Sequence, residues 1–317
     1  MASVSVVIPT WNALPRLRRC LQRLASQTRR PEEIIVVDNA SSDDTVKTMR
    51  GEYPWVKVVR LPRNLGTSGG VNAGVKAASG DFIVTLDSDA YPTPTWLEAL
   101  QSALEEAPVF SFAACRLLLA SDPRRIDSAG DAFDPLIGGI MRGHGEPDGP
   151  AFDTPCEVFT ATGAASIYRR GVFERVGSLD ESLFIYSDDI DFGFRARLLG
   201  HRCVYVPDAV VHHDRSATFG RGSSAQMRLV YRNRVTVYLK NMPWGLIKPR
   251  LGGIGHTWAA ALRHAPHRGA AFRGYCEAFL RMGATLRARR GIQRTRCVDL
   301  ACLLEAMSPD GVPIGKP

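Results

Sequence analysis

The first hundred residues switch repeatedly between two hydrophobic periods, and that alternation restricts the fold more than any other feature of the chain. Residues 4–9 (VSVVIP) read as a strand and 14–26 as a helix, with Leu14, Leu17, Leu21 and Leu24 along one face. Residues 33–37 form the next strand pattern, ending at Asp38, and 42–50 the next helix, with Ser42 or Asp43 near its cap. A third strand at 56–61, a third helix at 69–78, a fourth strand at 82–86 and a helix at 93–106, capped by Thr93 or Thr95, continue the series. Strands joined through helical crossovers pair in parallel, and the helices cover both faces. The expectation is an α/β fold: a mostly parallel twisted sheet flanked by helices, with ligands at the C-terminal ends of the strands.

The rhythm fails over residues 120–155, where Gly, Pro and Asp accumulate. This segment reads either as a functional loop insertion over the site or as a surface excursion. Order returns at 157–168, with helices at 171–176 and 189–199 and strand pieces at 203–206 and 209–212; from 225 onward the chain reads as helical and Arg-rich. Charge divides in the same place. Residues 1–225 carry 24 Lys+Arg against 28 Asp+Glu, a net of −4, whereas 226–317 carry 16 against 4, a net of +12. The expected organisation is a main domain over 1–225, holding the 120–155 insertion, and a basic helical C-terminal segment over 226–317. Such a segment suits an anionic partner, membrane or nucleic acid.

The opening MASVSVVIPTWN enters a strand pattern without a charged leader, and no run approaches the roughly 20 apolar residues that span a bilayer. The seven cysteines are odd in number, scattered and without CxxC spacing, which argues against zinc and disulfide frameworks and for a reducing cytoplasm.

Residues 82–90 read FIVTLDSDA. Side chains alternate along a strand, so Asp87 and Asp89 project together from its end, and converging carboxylates call for a cation such as Mg2+ or Mn2+, which in turn suits a diphosphate. His212 and His213 end a later strand and could add a nitrogen ligand, although histidines there are more often structural. Asp38 ends the second strand and could accept from a base or ribose, or cap the following helix. Trp11 could stack on a base or belong to the core. GTSGGVNAG (66–74) could contact phosphate or merely turn into a helix; it lacks the Lys-Ser/Thr pair of a P-loop. Asp188 and Asp189 stand at a helix start, where the dipole favours carboxylates, and one of them could be a general base. No glycine precedes Gly51, which excludes a dinucleotide-binding turn after the first strand.

VVIPTWN, IIVVDNASSDDT, NLGTSGGVNAG, LDSDA, GAASIYRRGVFERVGSLDESLFIYSDDIDFGFR and VVHHDRS occur in this order. With YRNRVTVYLKN beyond them, they resemble the inverting family-2 glycosyltransferases of GT-A fold, most closely the bacterial rhamnosyltransferase-type branch, over residues 3–241. The resemblance implies that Pro9, Trp11 and Asp38 hold the nucleobase and ribose, and that Asn64, Gly66 and Gly69 flank the donor. It makes Asp87 and Asp89 the metal-binding pair, with His212 as third ligand and His213 as fallback. Asp189 matches the catalytic base, and Asp188, Gly163 and Ala164 lie on the acceptor side. Trp11 stands where Tyr or Phe is usual, and Asp188 where Glu is usual.

The implied activity is metal-dependent inverting transfer of a sugar, rhamnose, from a dTDP- or UDP-sugar to a glycan or lipid-linked acceptor in cell-envelope polysaccharide synthesis, with Mn2+ or Mg2+ as cofactor. The basic segment, with Trp244, Leu246, Ile247 and Trp258, would then face the inner membrane surface from the cytoplasm; a solvated face or a homo-oligomer contact are its alternatives. No recognised nucleic-acid motif accompanies the charge. A sugar-nucleotide nucleotidyltransferase would need a basic glycine-rich triphosphate loop after strand one, which is missing. An inactive GT-A-fold binding protein would not need the intact acidic set.

Overall fold

The computed structural model describes residues 2–215, 220, 222–307 and 312–313; Ser216 of the VVHHDRS motif and the remainder of the 226–317 segment fall outside them. The N-terminal half follows the alternation: β1 (Val4–Thr10), α1 (Leu14–Ala25), β2 (Glu33–Asp38), α2 (Thr45–Glu52), β3 (Lys57–Arg60), α3 (Gly66–Ala77) and β4 (Phe82–Leu86). These strands pair in parallel in the order β4-β1-β2-β3, with Thr10 opposite Asp38 and Val6 opposite Val84, so their C-terminal ends share one edge. Helix α2 starts three residues later than its pattern indicates, because the Asp43 carboxylate accepts from the Thr45 N–H and hydroxyl and holds the preceding turn.

Beyond β4 the sheet becomes mixed. β5 (Ala90–Pro92), α4 (Trp96–Glu106) and β6 (Phe112–Leu119) lead into the 120–155 region, which holds the strands β7 (Asp122–Ser128), β8 (Asp131–Asp134) and β9 (Gly138–Met141). Then come β10 (Cys156–Val158), β11 (Ala165–Arg169), α5 (Arg170–Val176), α6 (Asp188–Leu198) and β12 (Cys203–His213). β11 runs antiparallel between β4 and β6, and β12 lies parallel to β6. β8 and β9 form a separate hairpin, Asp131 opposite Met141.

Alternating side chains of the sheet feed two cores. Val6, Ile8 and Val84 meet Leu17, Leu21, Leu24, Trp96 and Leu100 of α1 and α4. Val7, Ile35, Ile83, Phe112 and Tyr168 meet Val71 of α3 and Phe192 of α6 on the other face. Each fully buried side chain of this size contributes about 1.5–3 kcal/mol.

The C-terminal part is helical: α7 (Ser224–Asn241), α8 (Trp244–Ile247), α9 (Leu251–His264), α10 (Arg268–Leu280), α11 (Met282–Arg294) and α12 (Leu300–Ala306), before a short β13 (Val312–Pro313) that pairs with β10. A third core draws on both sides of residue 225, joining Phe133, Phe159 and Phe194 to Val237, Tyr238, Met242 and Leu303. Gly274 lets α10 lie directly on α7, since a Cβ there would stand 2.4 Å from the Arg228 carbonyl oxygen. Three of the side chains expected on an interfacial surface are engaged inside: Leu246 and Ile247 are buried, and Trp258 packs on Tyr238 and donates to the Leu136 carbonyl. The helical sequence pattern could not separate these inward positions from exposed Trp244, Leu251, Phe272, Phe279 and Leu280.

Candidate active site

A cavity of about 620 Å3 opens at the C-terminal edge of the sheet. Asp87 and Asp89 leave the end of β4 on its wall; the Asp87 N–H donates to the Ala164 carbonyl at 2.8 Å, which ties this turn to the strand beside it. His213, the last residue of β12, brings its Nε2 to 3.5 Å from an Asp89 oxygen, while its Nδ1 lies 2.7 Å from Asp127. One ligand atom each from Asp87, Asp89 and His213 fall within 4.8 Å of one another.

The expected His212 ligand is thereby corrected. His212 and His213 point to opposite faces of β12, and His212 falls on the side of Arg19 and Arg23; burial and these charges depress its pKa. Burial and the Asp89 charge push Asp87 up to about 7. Asp89 also resists ionisation through burial, but the bond and charge of His213 hold it below its ordinary value. Burial disfavours the His213 cation, yet Asp127 and Asp89 carry its pKa up to about 10. Two carboxylates that repel each other, together with an imidazole, form an oxygen-rich donor set that fits Mn2+ or Mg2+.

The second acidic centre stands at the start of α6. Phe184, Tyr186 and Ser187 have φ of 69°, 68° and 61°, a left-handed run that is costly for residues other than glycine. Two neighbours hold it. The Asn233 side-chain amide of α7 donates to the carbonyls of Leu183, Ile185 and Tyr186 at 3.0, 2.8 and 2.8 Å. On the other side Gly66, at φ +72°, leaves room for the Phe184 carbonyl oxygen, which would stand 2.0 Å from a Cβ. Asp189 is thus fixed in the cavity and accepts from the Gly163 and Ile190 N–H groups, both at 2.8 Å. Burial raises its pKa against the pull of those bonds. Asp188 accepts from the Ser68 hydroxyl at 3.1 Å, and burial and the charge of Asp189 push it up to about 8. Gly163 and Ala164 line the same wall.

Pro9, Trp11, Asn64 and Gly66 also line the cavity, and Trp11 is 38% exposed, which removes it from the core. Two residues expected on the donor wall stand behind it. Asp38 is buried, accepts from the Ser41 N–H at 3.1 Å and faces Arg60 at 3.6 Å, fixing the turn that presents Asn39. Gly69 packs against Leu65, whose Cβ would lie 2.4 Å from a Cβ at this position. Sequence reasoning also missed wall residues supplied by the 120–155 region and α7, among them Asp127, Asp131 and Arg234. Asp131 accepts from Ser128 at 2.7 Å and is pushed well above its ordinary pKa by burial and the charge of Asp189.

The backbone aligns with the crystal structure of GalNAc-T7 with UDP, GalNAc and Mn2+ at a TM-score of 0.61 and 19% identity, over 84% of this chain and 58% of that one. It aligns with the mannosyltransferase PcManGT of Pyrobaculum calidifontis, in complex with GDP-Man and Mn2+, at 0.57 and 19%, over 96% and 86%. A sheet flanked by helices, with acidic residues at its C-terminal edge, is therefore a GT-A fold. Among curated proteins, the N-acetylglucosaminyl-diphospho-decaprenol L-rhamnosyltransferase of Mycobacterium tuberculosis (strain CDC 1551 / Oshkosh) is 27% identical over 245 residues, 70% of this chain and 79% of that protein. Residues 5–177 match the model of glycosyl transferase family 2; the chain belongs to that family and is a glycosyltransferase.

Proposed function

We propose that the protein is an inverting, metal-dependent transferase that moves rhamnose from a dTDP- or UDP-sugar to a hydroxyl of a glycan or lipid-linked acceptor, in cell-envelope polysaccharide synthesis. The observation that carries this reading is the convergence of Asp87, Asp89 and His213 with Asp189 on one cavity. The name of the mycobacterial relative supports the choice of sugar and of a lipid-linked acceptor.

Pro9 and Trp11 would form the bed of the nucleobase, with Asp38 fixing the Asn39 turn beside it. Asn64 would meet the donor; its side chain accepts from the Gly66 N–H at 2.8 Å, and Gly69 keeps the start of α3 close-packed. Asp87, Asp89 and His213 would hold Mn2+ or Mg2+. When bound, that ion supplies positive charge beside the diphosphate of the donor. Asp189 takes the proton of the acceptor hydroxyl as its oxygen bonds to the anomeric carbon, and the bond from that carbon to the diphosphate oxygen breaks on the opposite face, so the configuration inverts. Its two backbone donors hold the carboxylate in place, and burial strengthens it as a base. Asp188, Gly163 and Ala164 shape the acceptor side. The basic C-terminal helices would rest on the cytoplasmic face of the inner membrane. Among the described residues no helix is long and apolar enough to cross a membrane.

A thermal-shift panel of nucleoside diphosphate sugars tests the reading. dTDP-rhamnose or a UDP-sugar should raise the melting temperature with Mn2+ or Mg2+ and lose most of that effect in EDTA. No stabilisation by any nucleoside diphosphate sugar would contradict it.

A further inference from the structure

α7 turns one stripe toward the cavity: Gln226, Val230, Arg234 and Val237, spaced four, four and three residues apart, all line it. Among the described residues of that wall, Arg234 differs from Arg16 and Arg215. Arg16 pairs with Asp214 at 3.4 Å, and Arg215 pairs with Asp127 at 3.1 Å. Arg234, half-buried, has no carboxylate partner among the described residues; its guanidinium lies over the Tyr231 ring, 5.7 Å from the centroid. The stem of Arg234 lies against the β8–β9 turn, where a Cβ on Gly138 would be 3.5 Å from Cγ. The next residue, Gly139, abuts Ile190, the neighbour of Asp189. Arg234 is therefore linked to the proton-accepting carboxylate through one turn of chain.

Elsewhere the wall is acidic, with Asp87, Asp89, Asp127, Asp131, Asp188 and Asp189 all lining the cavity. Arg16, His213 and Arg215 on this wall are each engaged by a carboxylate, so among the described residues Arg234 is where an anion would be held. A guanidinium binds phosphate oxygens with two parallel N–H bonds. The flanking surface is apolar: Val230 and Val237 on α7, and Ile140 and Met141 on β9.

We propose that Arg234 binds the phosphate groups of an acceptor in which a diphosphate joins the sugar to an apolar chain, a prenyl diphosphate-linked sugar, with Val230, Val237 and β9 receiving the first part of that chain. The proposal rests on the transferase reading of the cavity and names its acceptor class.

Calorimetric titration of the full chain in EDTA with farnesyl diphosphate, inorganic diphosphate and farnesol tests it. The wild type should bind farnesyl diphosphate at least about tenfold more tightly than either of the others. Arg234→Gln should lose about tenfold or more in farnesyl diphosphate affinity, leave farnesol unchanged, and be partly rescued by Arg234→Lys. Equal binding of farnesyl and inorganic diphosphate by the wild type would overturn the lipid-linked part, and unchanged affinity in Arg234→Gln would overturn the assignment. dTDP and UDP binding with Mn2+, measured on the same proteins, separates the two levels. Loss of nucleotide binding in the wild type itself would indict the transferase reading, whereas intact nucleotide binding beside an unaffected Arg234→Gln would sink only the acceptor subsite.

Discussion

Asn233 serves the site from a helix distant in sequence. Its amide holds three carbonyls of the left-handed turn that delivers Asp189. Asn233→Ala should cost about 1–3 kcal/mol of stability, because buried carbonyls lose their donor. It should also lower kcat roughly tenfold or more, because the carboxylate loses its fixed position, with nucleotide affinity unchanged. Steady-state kinetics beside nucleotide titration would reveal this, and a wild-type kcat would contradict it. The histidines make a second test at this scale: His213→Ala should weaken Mn2+ binding in calorimetry about tenfold or more, and His212→Ala should not. The acidic pair in LDSDA was legible because alternation at the end of a buried strand aims both carboxylates alike. The choice between His212 and His213 was not, since it turns on which face of β12 meets Asp89, a matter of register with β5 and β6. Asp127, Asp131 and Arg234 carried no local signal, because each reaches the cavity through pairing or packing across long stretches of chain.

Elements are held by a few contacts that admit little change. Gly66→Ala would place a Cβ against the Phe184 carbonyl and force a positive φ on alanine. It should destabilise the protein by roughly 1–3 kcal/mol and displace the turn before α6, visible as lower turnover with a lower melting temperature. Glu157 on β10 joins two buried or half-buried arginines, Arg197 of α6 and Arg202. Burial works against its ionisation, but these cations hold its pKa below the ordinary 4.5. A depressed carboxylate contributes stability that is fully present above about pH 4.5 and is lost as pH falls below that value through the folded-state pKa. Urea unfolding of Glu157→Gln should therefore show a shallower loss of stability on acidification than the wild type; parallel curves would contradict the role. The βα series was readable because its helices show one apolar face. β6 was missed because its FAACRLLL is buried on both faces and does not alternate. β7 was hidden by register shifts against β6, which break the period of two, and β8 and β9 by their shortness.

At the scale of the whole molecule, the basic C-terminal helices share a core with the catalytic part instead of trailing from it. Their outer side exposes Phe272, Phe279 and Leu280, the last 86% exposed, among arginines. If this surface meets an anionic bilayer, co-sedimentation with phosphatidylglycerol vesicles should weaken as salt rises and fall further in Phe279→Ser/Leu280→Ser, with transfer to a soluble acceptor unaffected. Salt-independent binding, or none, would contradict that orientation. Charge asymmetry was legible from the sequence, whereas the packing of α7 against α6 was not, because α7 is buried on several sides and lacks a single apolar stripe. The central claim is that Asp189 takes the proton of the acceptor in the cavity that Asp87, Asp89 and His213 share. Its most direct test measures sugar transfer by Asp189→Asn, with dTDP and UDP affinity in Mn2+ measured on the same protein. Transfer should fall by roughly 10^2–10^4-fold while nucleotide affinity stays within about twofold; unaltered turnover would contradict the assignment.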